Sequence, residues 1–152
     1  MTAKLSEALA LVGTIDPHAL AGAATIYSDI VDMGQIRRAL ISVLEGAAVT
    51  TKMAGVAATI SVFECTAAGT AASTALKSAT ITRAQTTAAK GQQAVLEVRD
   101  TELGDVHAAY TRYFKVGITA GTNAVNIGAV ILGGDNRYSN ASSEDLATAT
   151  VS

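Results

Sequence analysis

An all-β fold, a single antiparallel β-sandwich of jelly-roll or immunoglobulin-like type, is predicted by three features of this chain. Apolar and polar residues alternate with a period of two in several segments, as in Ala58 to Cys65 and Ala94 to Arg99. Turn formers (Gly, Asn, Asp, Thr) separate these segments at short intervals. No long stretch carries an amphipathic helical stripe. About seven or eight strands with one short helical turn make a sandwich, and strands apolar on both faces disfavour an up-and-down barrel.

The elements follow in order. Residues 1–24 read as an N-terminal arm, with Leu5, Leu9 and Val12 at helical spacing. Asp16-Pro17-His18 imposes a turn, because Pro17 fixes its own φ and pushes Asp16 out of the helical region. Residues 25–134 form the sandwich. Thr25 to Val31 is the first strand, and Ile36 to Leu44 is a central one, with Ala39, Ile41 and Val43 on one face and Leu40, Ser42 and Leu44 on the other. Gly46 and Gly55 bracket a wide connection to the strand Ala58 to Cys65, where Ile60 and Val62 oppose Thr59, Ser61 and Phe63. The Ala/Thr/Ser-rich stretch after Cys65 gives no clear pattern, apart from a short strand at Ala79 to Thr82.

In the next strand Ala94, Leu96 and Val98 point inward, or the faces are swapped around Val95, and Asp100 to Gly104 is a capped single turn. Tyr110 to Thr119 carries Phe114, Val116 and Ile118 inward; Gly121-Thr122-Asn123 then folds it into an antiparallel hairpin with Ala124 to Leu132. Gly133-Gly134 lets the chain leave the sandwich for a polar tail, residues 135–152.

Composition bounds the function. The chain has 152 residues, one domain by length. Of its residues 49% are apolar but only 4% aromatic, and 31 alanines and 19 threonines make the core one of small side chains. Such a thin core suits a protein that gains stability by association. With net charge −2 and only Arg37-Arg38 as a basic cluster, the chain lacks a nucleic-acid footprint. Glu7 interrupts the N-terminal apolar run, so it does not read as a signal peptide. The uncharged stretch 116–134 contains five glycines and alternates, so it reads as sheet and no membrane partner is expected.

Reactive chemistry is poorly represented. His18 and His107 lie 89 positions apart with no close ligand pair, so no metal is expected. Asp100, Glu102 and Asp105 could offer oxygens to calcium, but their spacing is not an EF-hand loop and such clusters commonly solvate a turn. Cys65, the only cysteine, excludes an internal disulfide and reads as a small buried apolar residue. There is no Gly-x-Ser-x-Gly elbow and no phosphate-cradling glycine loop. The expectation is a non-enzymatic chain with no catalytic residue and no cofactor.

The tail points to a partner. Ordering residues 135–152 costs about 1–2 kcal/mol per residue, whereas burying Tyr138, Leu146 and Val151 returns about 1.5–3 kcal/mol each. Either the tail stays disordered or its backbone pairs with a sheet edge or a neighbouring chain. Leu5, Leu9, Asp135, Asn136, Arg137, Tyr138, Leu146 and Val151 are therefore the candidate partner-interface residues.

Ile15-Asp16-Pro17, Val31-Asp32-Met33, Arg37-Arg38-Ala39-Leu40 and Gly133-Gly134-Asp135-Asn136-Arg137-Tyr138 with its Ser/Asp tail carry a likeness. On these residues the chain resembles small accessory proteins of tailed bacteriophage particles. That resemblance implies a β-sandwich decoration (cement) protein on the outside of an icosahedral head. Its partner would be the major capsid protein, and it would be a homo-oligomer, trimer ahead of dimer, made in the bacterial cytoplasm and located on the virion. No catalytic residues come with the resemblance. The rival readings are a carbohydrate- or host-surface-binding module, using Tyr110, Tyr113 and Asp100 to Asp105, and a tail or head–tail joining component.

Overall fold

The structure, a computed structural model, describes residues 9–46, 55–83 and 91–135. Nine strands appear in this order: β1 (Leu9–Leu20), β2 (Thr25–Tyr27), β3 (Val31–Asp32), β4 (Arg38–Glu45), β5 (Gly55–Cys65), β6 (Lys77–Arg83), β7 (Gln93–Arg99), β8 (Tyr113–Ala120) and β9 (Val125–Gly134). A single 3-10 turn, Asp100–Glu102, follows β7.

The strands form two antiparallel sheets. The first has the order β1-β9-β4-β7, and the second β2-β8-β5-β6 with β3 also on β8. β2 and β3 act as one interrupted strand along β8, pairing with residues 117–119 and 113–114 respectively. Ser28 bridges the gap: its N–H donates to the Val116 carbonyl (2.8 Å), and its Oγ accepts from the Val116 N–H (3.0 Å).

Counted this way, eight strands pair as nested antiparallel partners: β5 with β6, β4 with β7, β2/β3 with β8, and β1 with β9. That is a long hairpin whose tip is β5–β6, rolled until β9 pairs with β4 and β8 with β5. This is the jelly-roll order, and it settles the choice left open with the immunoglobulin-like alternative.

The period-two alternation places one face of each strand in the core. Ala39, Ile41 and Val43 of β4 and Ile127, Ala129 and Ile131 of β9 face Ile60 and Val62 of β5 and Phe114, Val116 and Ile118 of β8, all buried. Phe114 is the only aromatic residue in this buried cluster. The inward set expected for β8 is the observed one, and on β7 Ala94, Leu96 and Val98 rather than Val95 face the core.

Several expectations are corrected. The segment expected as an arm contains β1, so among the described residues the sandwich starts at Leu9, and Leu9 and Val12 lie on a strand. Local spacing favoured a helix, but pairing with β9 satisfies the backbone of this segment. Asp16 and Pro17 do not end the element; they sit in a register shift between Ile15 and His18. A proline without an N–H is tolerated there because β1 is an edge strand and the ladder is already broken.

The hairpin expected between the last two strands does not form. β8 belongs to the second sheet and β9 to the first, so Gly121 to Asn123 carries the chain across the sandwich. Gly133 and Gly134 remain within β9 rather than releasing the chain. A Cβ on Gly133 would come within 2.8 Å of Val12 and 2.9 Å of Ile36, so the glycine is there for close packing.

Ion pairs fasten the margins. Lys77 on β6 reaches across to the first sheet, donating to the Glu97 carbonyl (2.8 Å) and to both Glu102 oxygens (2.6 and 2.7 Å). A lysine on one open edge thus occupies an acceptor on the other. Burial raises the Glu102 pKa, but the Lys77 ammonium and the Arg99 N–H outweigh it, and the carboxyl lies below its usual range. At the other margin Arg112 clamps Asp32 in a bidentate pair (2.8 and 2.6 Å), and this holds the Asp32 pKa down against partial burial.

Two outcomes follow. Gly133→Val lowers stability by about 1–3 kcal/mol in urea unfolding, because Val12 and Ile36 must shift. Asp32, whose pKa is lowered by folding, contributes stability above the usual carboxylate pKa and loses it as pH falls through that range. Denaturant midpoints measured from about pH 5 to pH 2 therefore fall less steeply for Asp32→Asn than for the parent chain.

Candidate interaction surface

A half-exposed antiparallel sheet normally turns polar residues to solvent. The first sheet does so only in part. Its outward residues fall in cross-strand rows: Leu11, Leu132, Leu40 and Glu97; then Thr14, Val130, Ser42 and Val95; then Gly128, Leu44 and Gln93. Leu44 is 58% exposed and Val95 53%, and Leu40 (40%) and Val130 (39%) are exposed as well. Four of the seven large apolar residues that lie exposed among the described residues are on this one face. A contiguous apolar patch carries meaning that scattered apolar residues do not.

The sequence read Leu40 and Leu44 as the second buried face of a central strand. β4 is internal in its sheet, but no element of the described chain covers that outer face. The signal was present as apolar residues on both faces; burial by a neighbouring layer and exposure for a partner look alike in one dimension.

The face has two distinct ends. At one, Arg99, Arg38 and Gly134 lie in a row with Leu9. Arg38 Nε bonds Asp135 Oδ2 at 2.7 Å, and Arg99 Nε bonds Glu97 Oε1 at 2.8 Å. These pairs are exposed, so each contributes little to stability, but they leave the end nearly neutral. At the other end the irregularity in β1 opens a groove of about 480 Å³, lined by Pro17, His18, Asn126, Gly128, Leu44 and Val130. Gly128 permits this shape, since a Cβ there would meet the Pro17 backbone at 3.2 Å.

The second sheet is different in character. Thr25, Thr119, Thr59 and Thr80 form one outward row across four strands, and the Thr25 and Thr119 hydroxyls are 2.8 Å apart. Tyr27 packs edge-on against Phe63 with ring centroids 6.2 Å apart, above Gly117, and Lys115 Nζ lies 4.4 Å from the Tyr27 ring centre. One outer face is apolar and the other is hydroxyl-rich.

A buried carboxylate organises the loop between β7 and β8. Glu64 on β5 has no exposure, and its oxygens accept from the N–H groups of Gly104 (2.8 Å), Val106 (3.3 Å) and His107 (2.7 Å). Nothing in the residues around Glu64 singles it out for this role, because its donors lie about forty positions further along the chain. Three converging N–H donors satisfy its oxygens in the interior. Burial also pushes the neighbouring Cys65 thiol up.

Of the residues proposed for a partner interface, the structure brings Leu9 and Asp135 to the same end of the first sheet. Leu5, Asn136, Arg137, Tyr138, Leu146 and Val151 lie outside the described residues. His18 sits at the groove and His107 stacks on Tyr110 with centroids 4.0 Å apart. Tyr113 lies under the Arg112 guanidinium, 5.1 Å from its ring centre. Among the described residues no three His, Cys, Asp or Glu side chains form a group able to hold a metal ion.

The jelly-roll order defines the class of fold. No family model matches the chain, and no curated protein matches it. Among solved structures it is similar to the VP2 subviral particle of infectious bursal disease virus, at 16% identity and TM-score 0.48, covering 91% of this chain and 36% of that one. The Gx strain of the same virus gives 12% identity and TM-score 0.48, covering 86% and 33%. Broad bean stain virus gives 10% identity and TM-score 0.43, covering 89% and 90%. The chain thus spans about a third of the length of the bursal virus chains. Likenesses this distant add nothing to the strand order and do not bear on function.

Replacing Glu64 with Ala strands three N–H donors, so stability falls by about 2–4 kcal/mol in urea unfolding. Amide exchange at Gly104, Val106 and His107 quickens in the same variant, measured by hydrogen–deuterium exchange.

Proposed function

We propose that this chain is a structural protein of a virus particle, specifically a decoration (cement) protein on the outer surface of a tailed-phage head that bridges major capsid subunits. The observation that carries the reading is a jelly roll with one sheet face left apolar. Viral capsid domains, lectins and cupins share this architecture, so the fold narrows the choice by analogy only. The motif resemblance to phage accessory proteins supports the first of these. In such a role each weak contact is multiplied by the symmetry of the shell, and many joints must break before it opens.

The carbohydrate-binding reading fits the surface less well. A sugar platform needs an open aromatic face, yet Tyr110 stacks on His107, Tyr113 lies under Arg112 and Tyr27 under Lys115. Of the acidic candidates near residue 100, Glu102 is bound by Lys77.

Counting this chain in purified particles of the phage that encodes it tests the proposal. Hundreds of copies spread over the head surface, with particles lacking the chain releasing DNA at lower temperature, is the expected result. A ring at one vertex favours a joining component, and absence from particles overturns the virion assignment.

A further inference from the structure

The apolar face of the first sheet has features that complement each other on a single surface. Its knob is Leu44, the most exposed large apolar side chain of the described residues, and its hole is the groove over Gly128, on the same cross-strand row. At the opposite end Arg38 on β4 shares a row with Gly134, the last residue of β9, and bonds Asp135 just beyond it. Knob and cation thus sit on β4, while the hole lies over β9 and β1 and the anion just past the end of β9, at matching levels.

Isologous contacts require this kind of reciprocity: a residue that meets another must be met by it in turn. Consider two copies packed face to face about 10 Å apart, with a two-fold axis running along the strands over the gap between β4 and β9. β4 of each copy then lies over β9 of the other at the same row. Leu44 enters the partner's groove between Pro17 and the partner's own Leu44, and Arg38 reaches the partner's Asp135 end. Val95 on β7 lies over Thr14 on β1.

From this we infer that the outer face of the first sheet is where two copies of this chain meet, making a symmetric dimer. The occupant is a second copy because one face holds both halves of each contact. The net charge of −2 opposes pairing only weakly. Four strands about 4.8 Å apart and about seven residues long present ~450 Å² per copy, or ~900 Å² in total, which places the dimer at the weak end of specific interfaces. A dissociation constant on the order of 10–100 µM suits that area. The inference goes beyond the shell reading and stands without it; it replaces the trimer favoured by resemblance with a dimer.

Light scattering on the full chain, from about 5 to 500 µM, is the test, a range chosen to span that constant. The mass should rise from one chain of 15.4 kDa toward twice that value. Leu44→Asp should weaken association by about 30-fold, with an unchanged far-ultraviolet spectrum because the side chain is exposed. Thr80→Asp, on the other sheet's outer face, should leave it intact. Arg38→Asp and Asp135→Arg should each weaken self-association about 10-fold through repulsion, and an equimolar mixture of the two should regain it. The mixture separates a contact between copies from the bond within one chain, because both variants lack the internal pair.

A single-chain mass throughout, a trimer mass, a dimer that survives Leu44→Asp, or a mixture that fails to reassociate would each overturn the inference. If the chain stays monomeric and Leu44→Asp instead abolishes binding to phage heads, the shell covers this face, and the dimer is wrong while the shell reading survives.

Discussion

The fold depends on β9 lying between β1 and β4. Without that strand the first sheet would separate into β1 alone and the β4–β7 pair, and the roll would have no closure. Its inward residues Val125, Ile127, Ala129 and Ile131 are all buried, so one strand supplies both the central ladder and much of the core on that side. The small side chains of this protein make the arrangement strict. Among the described residues the core is mostly Ile, Val and Ala, with Leu20, Leu103 and Met33 and with Phe114 as its one aromatic residue, and it works only if the two sheets stay close. Gly133, packed under Val12 and Ile36, is one place where that closeness is visible.

Closure of the roll settles where polarity can go. Every nested strand pair contributes one face inward, so the remaining chemistry lies on two outer faces, two open margins and the loops. Each is treated differently. Threonine and serine cover the second sheet, Lys77 and Arg112 fasten the margins, and Glu64 gathers the β7–β8 loop onto a buried carboxylate. Only the outer face of the first sheet keeps its apolar character, and there the irregularity at Asp16-Pro17 adds a groove. That contrast between faces is the basis for both functional proposals, because a solvated sheet gains nothing from Leu40, Leu44, Val95 and Val130 turned outward.

The two proposals differ in what they rest on. Decoration of a phage head draws on the jelly-roll architecture with its apolar sheet face and on the resemblance of scattered motifs. Dimerisation draws on the rows of this one sheet, where Leu44 shares a level with Gly128 and Arg38 with Gly134.

The sequence by itself determined which residues share a face of each strand. Alternation at period two is a local property, so Ala39, Ile41 and Val43 on β4, Ile60 and Val62 on β5, and Phe114, Val116 and Ile118 on β8 could be assigned from their own neighbours. Partner choice is not local. The hairpin read between the last two strands failed because a three-residue turn and a crossover between sheets use the same glycine and asparagine chemistry, and only long-range closure distinguishes them. For the same reason β1 was read as an arm: its pairing partner lies more than a hundred residues away. The apolar outer face was written in Leu40 and Leu44, yet tertiary structure alone decided that no layer of this chain's described residues would cover it. Whether an apolar residue is core or contact depends on what stacks above the strand, and that is decided by the whole fold rather than by the strand.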